Sequence, residues 1–153
     1  MTAHIHVSGD SSSLPVFSLS NGRISYLFRV SQEGFLEHLH FGAKVAPAKN
    51  YPSQPKRLHR GCVLDFQDSK YYNLSDVPQE YPLFGTGDNR NPALHIINSS
   101  GNSTQVFRYA RYEIVSEKPS LDGLPSARGG NSQSLIIYLV DEVTDLALEL
   151  NYT

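Results

Sequence analysis

The chain has 153 residues, a formal net charge of −2, 39% hydrophobic residues and 18% charged residues. That length suffices for one domain with a real core, and without a basic excess to neutralise phosphates the composition argues against a nucleic-acid partner. The single cysteine, Cys62, excludes an internal disulfide framework and suits a reducing compartment, and the start Met1-Thr2-Ala3-His4-Ile5-His6-Val7 lacks the basic and apolar regions of a secretory signal, so a cytoplasmic protein is expected.

A short strand is predicted at residues 5–7, a Ser-rich turn at 8–14, and a second strand at 16–19. Ser20-Asn21-Gly22-Arg23 carries the Asn-Gly pair that favours a two-residue hairpin turn. Residues 24–30 alternate, with Ile24, Tyr26, Phe28 and Val30 on one face and Ser25, Leu27 and Arg29 on the other, the period of a strand. Ser31-Gln32-Glu33-Gly34 turns the chain. Residues 35–41 return it, with Phe35, Glu37, Leu39 and Phe41 alternating with Leu36, His38 and His40, so that an antiparallel meander spans 16–41. From 44 to 60, Pro47, Pro52 and Pro55 interleave with Lys44, Lys49, Lys56, Arg57 and Arg60, a long basic connection without periodicity.

A short strand is predicted at 63–66 and a one-turn helix or tight turn at Ser75-Asp76-Val77-Pro78. The stretch from Glu80 to Ala93 holds Pro82, Pro92, Gly85, Gly87, Tyr81, Phe84, Asp88 and Arg90. Each proline removes a donor and fixes φ, and each glycine permits positive φ, so a shaped loop is expected rather than helix or strand. Such loops on rigid scaffolds are common sites of binding and catalysis, although on composition alone Asp88 and Arg90 read first as a structural ion pair. Strands follow at 93–98 and 104–115, the second with a change of face near Arg108 and Ala110 that suggests a bulge or a strand that passes between two sheets. Leu135-Ile136-Ile137-Tyr138-Leu139-Val140 is a strand buried on both faces and much too short for a membrane span, so no membrane partner is expected. Leu146, Leu148, Leu150 and Tyr152 alternate beyond a turn at 141–145, and the chain stops at Thr153 in mid-strand, which raises the expectation that the original protein continues. Many short strands at regular spacing, with no persuasive helical period, indicate an all-β, antiparallel β-sandwich incomplete at its C-terminal end. The expected organisation is an N-terminal segment at 1–15 and the sandwich at 16–153.

Chemistry-bearing constellations are sparse. His4-x-His6 and His38-x-His40 each place two imidazoles on one face of an ideal strand, the spacing of a metal pair, but no Glu follows His40 until Glu80 and no metal site is expected. Cys62 lies beside Gly61 and His59 without an orienting acid at persuasive spacing. Asp65 and Asp68 flank a strand end, while Asp141, Glu142 and Asp145 crowd a hairpin tip. No nucleophile elbow, phosphate loop or dinucleotide fingerprint occurs, so no cofactor is expected. Four Asn-x-Ser/Thr sequons, at Asn73, Asn98, Asn102 and Asn151, reflect a Ser- and Asn-rich chain. One reading that remains open is a stand-alone carbohydrate-binding sandwich with Tyr81 and Phe84 as a sugar platform.

Several landmarks in order resemble the bacterial α-galactosidases of glycoside hydrolase family 36: Ile24-Ser25-Tyr26-Leu27-Phe28-Arg29-Val30, then Gly34-Phe35-Leu36-Glu37-His38-Leu39-His40-Phe41-Gly42, the Tyr-Pro, Gly-rich loop with Asp88-Asn89-Arg90, Phe107-Arg108-Tyr109, Leu121-Asp122-Gly123-Leu124-Pro125 and Leu148-Glu149-Leu150-Asn151-Tyr152-Thr153. The resemblance runs from about Ile24 to Thr153. It implies a non-catalytic β-sandwich preceding a (β/α)8 barrel that carries both catalytic aspartates of a retaining glycosidase, so no catalytic residue is expected in this chain. It implies hydrolysis of α-galactosides such as melibiose and raffinose by the full-length enzyme, a tetramer, and loops that border an active site. Here the reaching loop maps to 56–62, where His59 stands in place of the family's acid and Arg60 matches, making these two the expected substrate-rim residues. Tyr81, Gly85, Gly87, Asp88 and Arg90 are expected to form a structural loop.

Overall fold

The computed structural model describes residues 4–9, 13–47, 51, 66, 72–116, 118–120, 123 and 132–153. Two antiparallel sheets make up the fold. The first holds β1 (His4–Ser8), β2 (Val16–Ser20), β3 (Ile24–Val30) and β4 (Leu36–Ala43), in the order β1-β2-β3-β4. The second holds β5 (Arg108–Val115), β6 (Ser134–Asp141) and β7 (Leu146–Tyr152), in the order β5-β6-β7. Among the described residues the one helical element is a 3-10 turn at Leu74–Asp76, opened by Asn73, whose Oδ1 accepts from the Ser75 amide at 2.8 Å. The protein is thus an all-β sandwich, as its turn spacing predicts.

Alternation along the strands explains why the sheets face each other. Phe17 from β2, Phe28 and Val30 from β3 and Leu36 from β4 meet Leu135, Ile137 and Leu139 from β6 in one buried cluster, with Phe107 closing it at the start of β5. Tyr26 and the apolar side of β7 (Leu146, Leu148, Leu150 and Tyr152) pack against that cluster. Ring contacts fix the layering. Phe17 meets Tyr109 and Tyr112 of β5, while Phe28 stacks on Tyr152 of β7 at 4.9 Å, so β5 faces the β2 side of the first sheet and β7 its β3 side, with β6 between them. β1 pairs along its length with β2, and its Ile5 and Val7 reach the same core. A second, smaller cluster of Phe35, Phe66 and Leu74 lies apart from the first.

Local departures from the expected pattern have identifiable causes. The β2–β3 hairpin does close on two residues, shifted by one: the Asn21 amide donates to Ile24 O at 3.4 Å, leaving Gly22 and Arg23 at the tip. Asn21 acts through its side chain, whose Oδ1 accepts from the Arg23 and Ile24 amides. In β4 the register slips, with Leu27 opposite His40 but Phe28 opposite His38, so Leu39 bulges and strict alternation over 35–41 fails. The suspected bulge in the later strand is present as well, between Tyr109 and Arg111. That strand begins at Arg108 rather than 104, because the Val106 amide donates to the Asp141 carboxylate (3.2 Å). Residues 93–98 form no strand; Leu94 makes a single bridge to Leu83, and Asn98 Oδ1 instead collects the Ser100 and Asn102 amides of the next turn. The strand predicted at 63–66 lies almost wholly outside the described residues.

Candidate functional site

The Gly-rich loop docks on the edge of β4. The His38 amide donates to Pro78 O at 2.7 Å and the Glu80 amide to Leu36 O at 3.0 Å, so the chain enters the loop hydrogen-bonded to that strand. A tight turn follows. The Asp88 amide donates to Gly85 O at 3.0 Å, and the two central residues, Thr86 and Gly87, have φ of 52° and 86°. Two successive positive φ values are the signature of a type I′ turn. Gly85 itself has φ of 105°, and a Cβ there would sit 2.7 Å from Thr104 Cγ2. Gly85→Ala is therefore expected to destabilise the fold by about 2 kcal/mol, from left-handed strain plus a contact that must move, measured as a lower denaturant midpoint with unchanged m-value.

The turn delivers Asp88 to the interior, where it is 1% exposed. Arg90 folds back onto it as a fork: Nε donates to Oδ1 at 2.9 Å and Nη2 to Oδ2 at 2.8 Å. The Arg90 amide adds a bond to Oδ1 at 3.1 Å, and Gln79 Nε2 donates to Oδ2 at 2.8 Å. Nη1 also donates to Val77 O and Nη2 to Leu74 O, each at 2.7 Å, tying the fork to both ends of the 3-10 turn. Both carboxylate oxygens and all three guanidinium nitrogens are thus engaged within the protein. Proton transfer to a substrate by this pair would first require breaking that network. Tyr81 is half-buried, which raises its phenol pKa, while Phe84 is 51% exposed.

A second carboxylate of the same loop is buried without having been singled out by its sequence context. Glu80, its side chain only 4% exposed, accepts from Tyr26 Oη of β3 and Tyr152 Oη of β7 (3.3 Å for the latter), and its Oε1 lies 3.2 Å from His38 Nδ1 of β4. One side chain thereby joins both sheets to the loop. A parallel arrangement on the other face of β4 holds Glu37, 2% exposed, against Arg29 Nε at 2.9 Å, Arg29 Nη2 at 2.8 Å and Tyr72 Oη at 3.1 Å. The one available sequence signal was parity: in the β3–β4 pairing, Arg29 falls opposite Glu37.

Burial is the main reason the phenols of Tyr26, Tyr72 and Tyr152 ionise well above the ordinary tyrosine range, with the neighbouring carboxylates Glu80 and Glu37 adding to it. Folded pKa values above the unfolded ones give stability that is fully present below about pH 10, the unfolded phenol value, and lost as pH rises towards the folded values. Alkaline titration is expected to unfold the domain cooperatively, with tyrosinate absorbance and loss of β circular dichroism rising together. Tyr152→Phe should make that alkaline limb shallower; an unchanged limb would contradict the assignment.

The other candidates separate in space. The Leu39 bulge sends His38 to the core face opposite Phe28 and His40 to the reverse face opposite Leu27, so the two imidazoles expected on one face lie on opposite faces. His40 Nε2 instead lies 3.0 Å from Ala43 O. His4 and His6 are exposed on β1, opposite Ser20 and Ser18. His59, Arg60, Cys62, Asp65 and Asp68 lie outside the described residues. Among the described residues, no group of three or more His, Cys, Asp or Glu side chains is placed to hold a metal ion, and no helix is long and apolar enough to cross a membrane. A cleft of about 430 Å3 opens at one end of the sandwich, where Ile5, Leu19, Ile24, Tyr26 and Tyr152 meet the amides of Asn21, Gln133 and Asn151.

Comparison with known proteins places this arrangement. The model of the glycosyl hydrolase family 36 N-terminal domain matches residues 34–153. Alpha-galactosidase Mel36A of Lactobacillus acidophilus is 37% identical over 145 residues, a match that covers 90% of this chain and 19% of that protein. The crystal structure of the GH36 alpha-galactosidase AgaA from Geobacillus stearothermophilus superposes with a TM-score of 0.82 at 29% identity, covering 90% of this chain and 20% of that one. A variant of the same enzyme in complex with raffinose superposes at 0.80, again with 29% identity and the same 90% and 20% coverage. The chain therefore spans about a fifth of the length of the relatives it matches, with 19% for Mel36A.

Proposed function

The chain belongs to the family of glycosyl hydrolase family 36 N-terminal domains, and on that basis we propose that it serves as the non-catalytic β-sandwich of a longer, retaining α-galactosidase. The observation that carries this reading is the match over 34–153 to an N-terminal domain whose relatives are α-galactosidases about five times as long. The engagement of Asp88 and Arg90 with each other, Gln79, Leu74 and Val77 supports a scaffold role for the loop. The attacking aspartate and the acid–base aspartate then belong to a (β/α)8 barrel elsewhere in the enzyme, and its substrates are terminal α-galactosides of the melibiose and raffinose type, raffinose being the sugar bound to the AgaA variant. We further propose a cytoplasmic homo-oligomer, for which the single cysteine is the support on location. His59 and Arg60 are proposed to rim a substrate site in that assembly, and Arg60→Ala in the full-length enzyme should raise KM more than it lowers kcat.

The decisive experiment is hydrolysis of an aryl α-galactoside. The 153-residue chain should give no turnover and the full-length enzyme should give turnover. Turnover by the chain itself, abolished by one acid-to-amide change within it, would overturn the proposal. An NMR titration with raffinose separates the stand-alone sugar-binding alternative, which requires saturable shifts centred on Tyr81 and Phe84.

A further inference from the structure

Of the two His-x-His pairs in the sequence, the fold separates one and keeps the other together. In β4 the Leu39 bulge parts His38 from His40, and each ring is engaged, His38 Nδ1 with Glu80 and His40 Nε2 with Ala43 O. β1 has no such irregularity. Its pairing with β2 is unbroken, with His4 opposite Ser20, Ile5 opposite Leu19, His6 opposite Ser18 and Val7 opposite Phe17. Ile5 and Val7 reach the core, so His4 and His6 stand together on the outer face, their Cα atoms about 6.6 Å apart by the rise of a strand. Both are exposed, and among the described residues neither imidazole has a hydrogen-bond or ion-pair partner. The backbone that carries them is fixed: every residue of β1 pairs with β2, and the Ile5 amide donates to Gln133 Oε1 at 3.3 Å.

We propose that His4 and His6 form a two-imidazole chelate for a late first-row divalent cation, holding Cu2+ most tightly and Ni2+ and Zn2+ less so. Water fills the other coordination positions, so a third protein ligand, the lack of which argued against a metal site, is not required. Donor chemistry selects the ion. Imidazole nitrogen suits Cu, Ni and Zn, whereas Mg2+ and Ca2+ take oxygen ligands, and β1 itself carries no carboxylate. Metal–nitrogen bonds of about 2.0–2.1 Å draw the two ring nitrogens to roughly 3 Å from each other. Rotation about χ1 and χ2 brings them that close from adjacent positions on one strand face, with no movement of the backbone. Because the strand is already ordered, chelation costs little beyond fixing two side chains. Once one imidazole holds the ion, the second binds intramolecularly, which makes the pair far tighter than either ring alone. The inference is independent of the α-galactosidase reading and draws on no residue of the Asp88 or Glu80 networks.

Calorimetric titration of the 153-residue chain, free of any tag, with NiCl2, ZnCl2 and MgCl2 tests this. Ni2+ and Zn2+ should each bind at one site and Mg2+ at none. His4→Ala and His6→Ala should each weaken Ni2+ binding about tenfold or more, and the double variant should be little worse than either, because one substitution already removes chelation. His40→Ala should leave binding unchanged. Both β1 rings are exposed and unpartnered, so their substitution should alter neither the β circular dichroism nor the melting temperature in metal-free buffer. Bound Cu2+ gives a second readout: its electron paramagnetic resonance should show hyperfine coupling to two imidazole nitrogens in the native chain and to one in each single variant. Ni2+ binding that survives both substitutions would place the ion elsewhere in the chain and overturn the proposal. Loss in only one of the two variants, or coupling to a single imidazole nitrogen in the native chain, would assign the ion to one ring and overturn the chelate equally.

Discussion

Arg90→Ala is expected to destabilise the domain by about 3 kcal/mol, at the low end of the range for breaking a buried ion pair from one side. The size follows from what is left behind. Asp88 is 1% exposed and would keep only Gln79 Nε2 and the Arg90 amide as donors, while Val77 O and Leu74 O lose their charged partner. Arg90 itself is about one-third exposed, with 36% of its side chain accessible, so water can partly replace it; this is why the upper end of the range is not expected. Arg90→Lys should recover little, because an ammonium cannot supply the fork that reaches both Asp88 oxygens and two carbonyls at once. The measurement is the urea midpoint, with m-value held constant as evidence that only stability has changed. A loss below about 1 kcal/mol, the typical worth of an exposed ion pair, would mean that the network is not a structural lock.

Phe28→Ala should be costlier still, at about 4 kcal/mol. Phe28 is fully buried, and its ring meets Phe17 at 5.1 Å within one sheet, Tyr26 at 5.7 Å along the strand and Tyr152 at 4.9 Å across the sandwich. Removing it opens a cavity where the two sheets touch, and the tyrosines around it cannot collapse inward without giving up their bonds to Glu80. Phe28→Leu retains most of the volume and should cost roughly 1–2 kcal/mol. Thermal and urea unfolding of both variants should keep this order. A Leu variant as unstable as the Ala variant would show that ring stacking rather than filled volume holds the sheets together.

Much of this protein was determined by its sequence alone. Period-two alternation in Ile24-Ser25-Tyr26-Leu27-Phe28-Arg29-Val30, the Asn-Gly and Gly34 turns, and the apolar run from Leu135 suffice for an antiparallel sandwich, because each depends on residues near in sequence and on a fixed backbone period. The punctuation of Pro82, Gly85, Gly87 and Pro92 likewise announces a shaped loop. The ordered landmarks from Ile24 to Thr153 by themselves point to the glycosidase family.

The tertiary structure decided the rest. Whether His38 and His40 share a face depended on one bulged residue, Leu39, and a bulge is a compromise between two strands that neither encodes alone. The strand expected at 93–98 gave way to side-chain capping by Asn98, and the one expected to begin at 104 was shortened when Asp141, 35 positions later, took the Val106 amide. Glu80 was ordinary in sequence. It became the carboxylate that joins both sheets only because Tyr26, His38 and Tyr152 converge on it from three strands, Tyr152 from 72 positions away. Local propensity fixes which elements form. Only the packing of the two sheets decides which polar side chains are shut inside with them, and there each must find a partner because water no longer can serve.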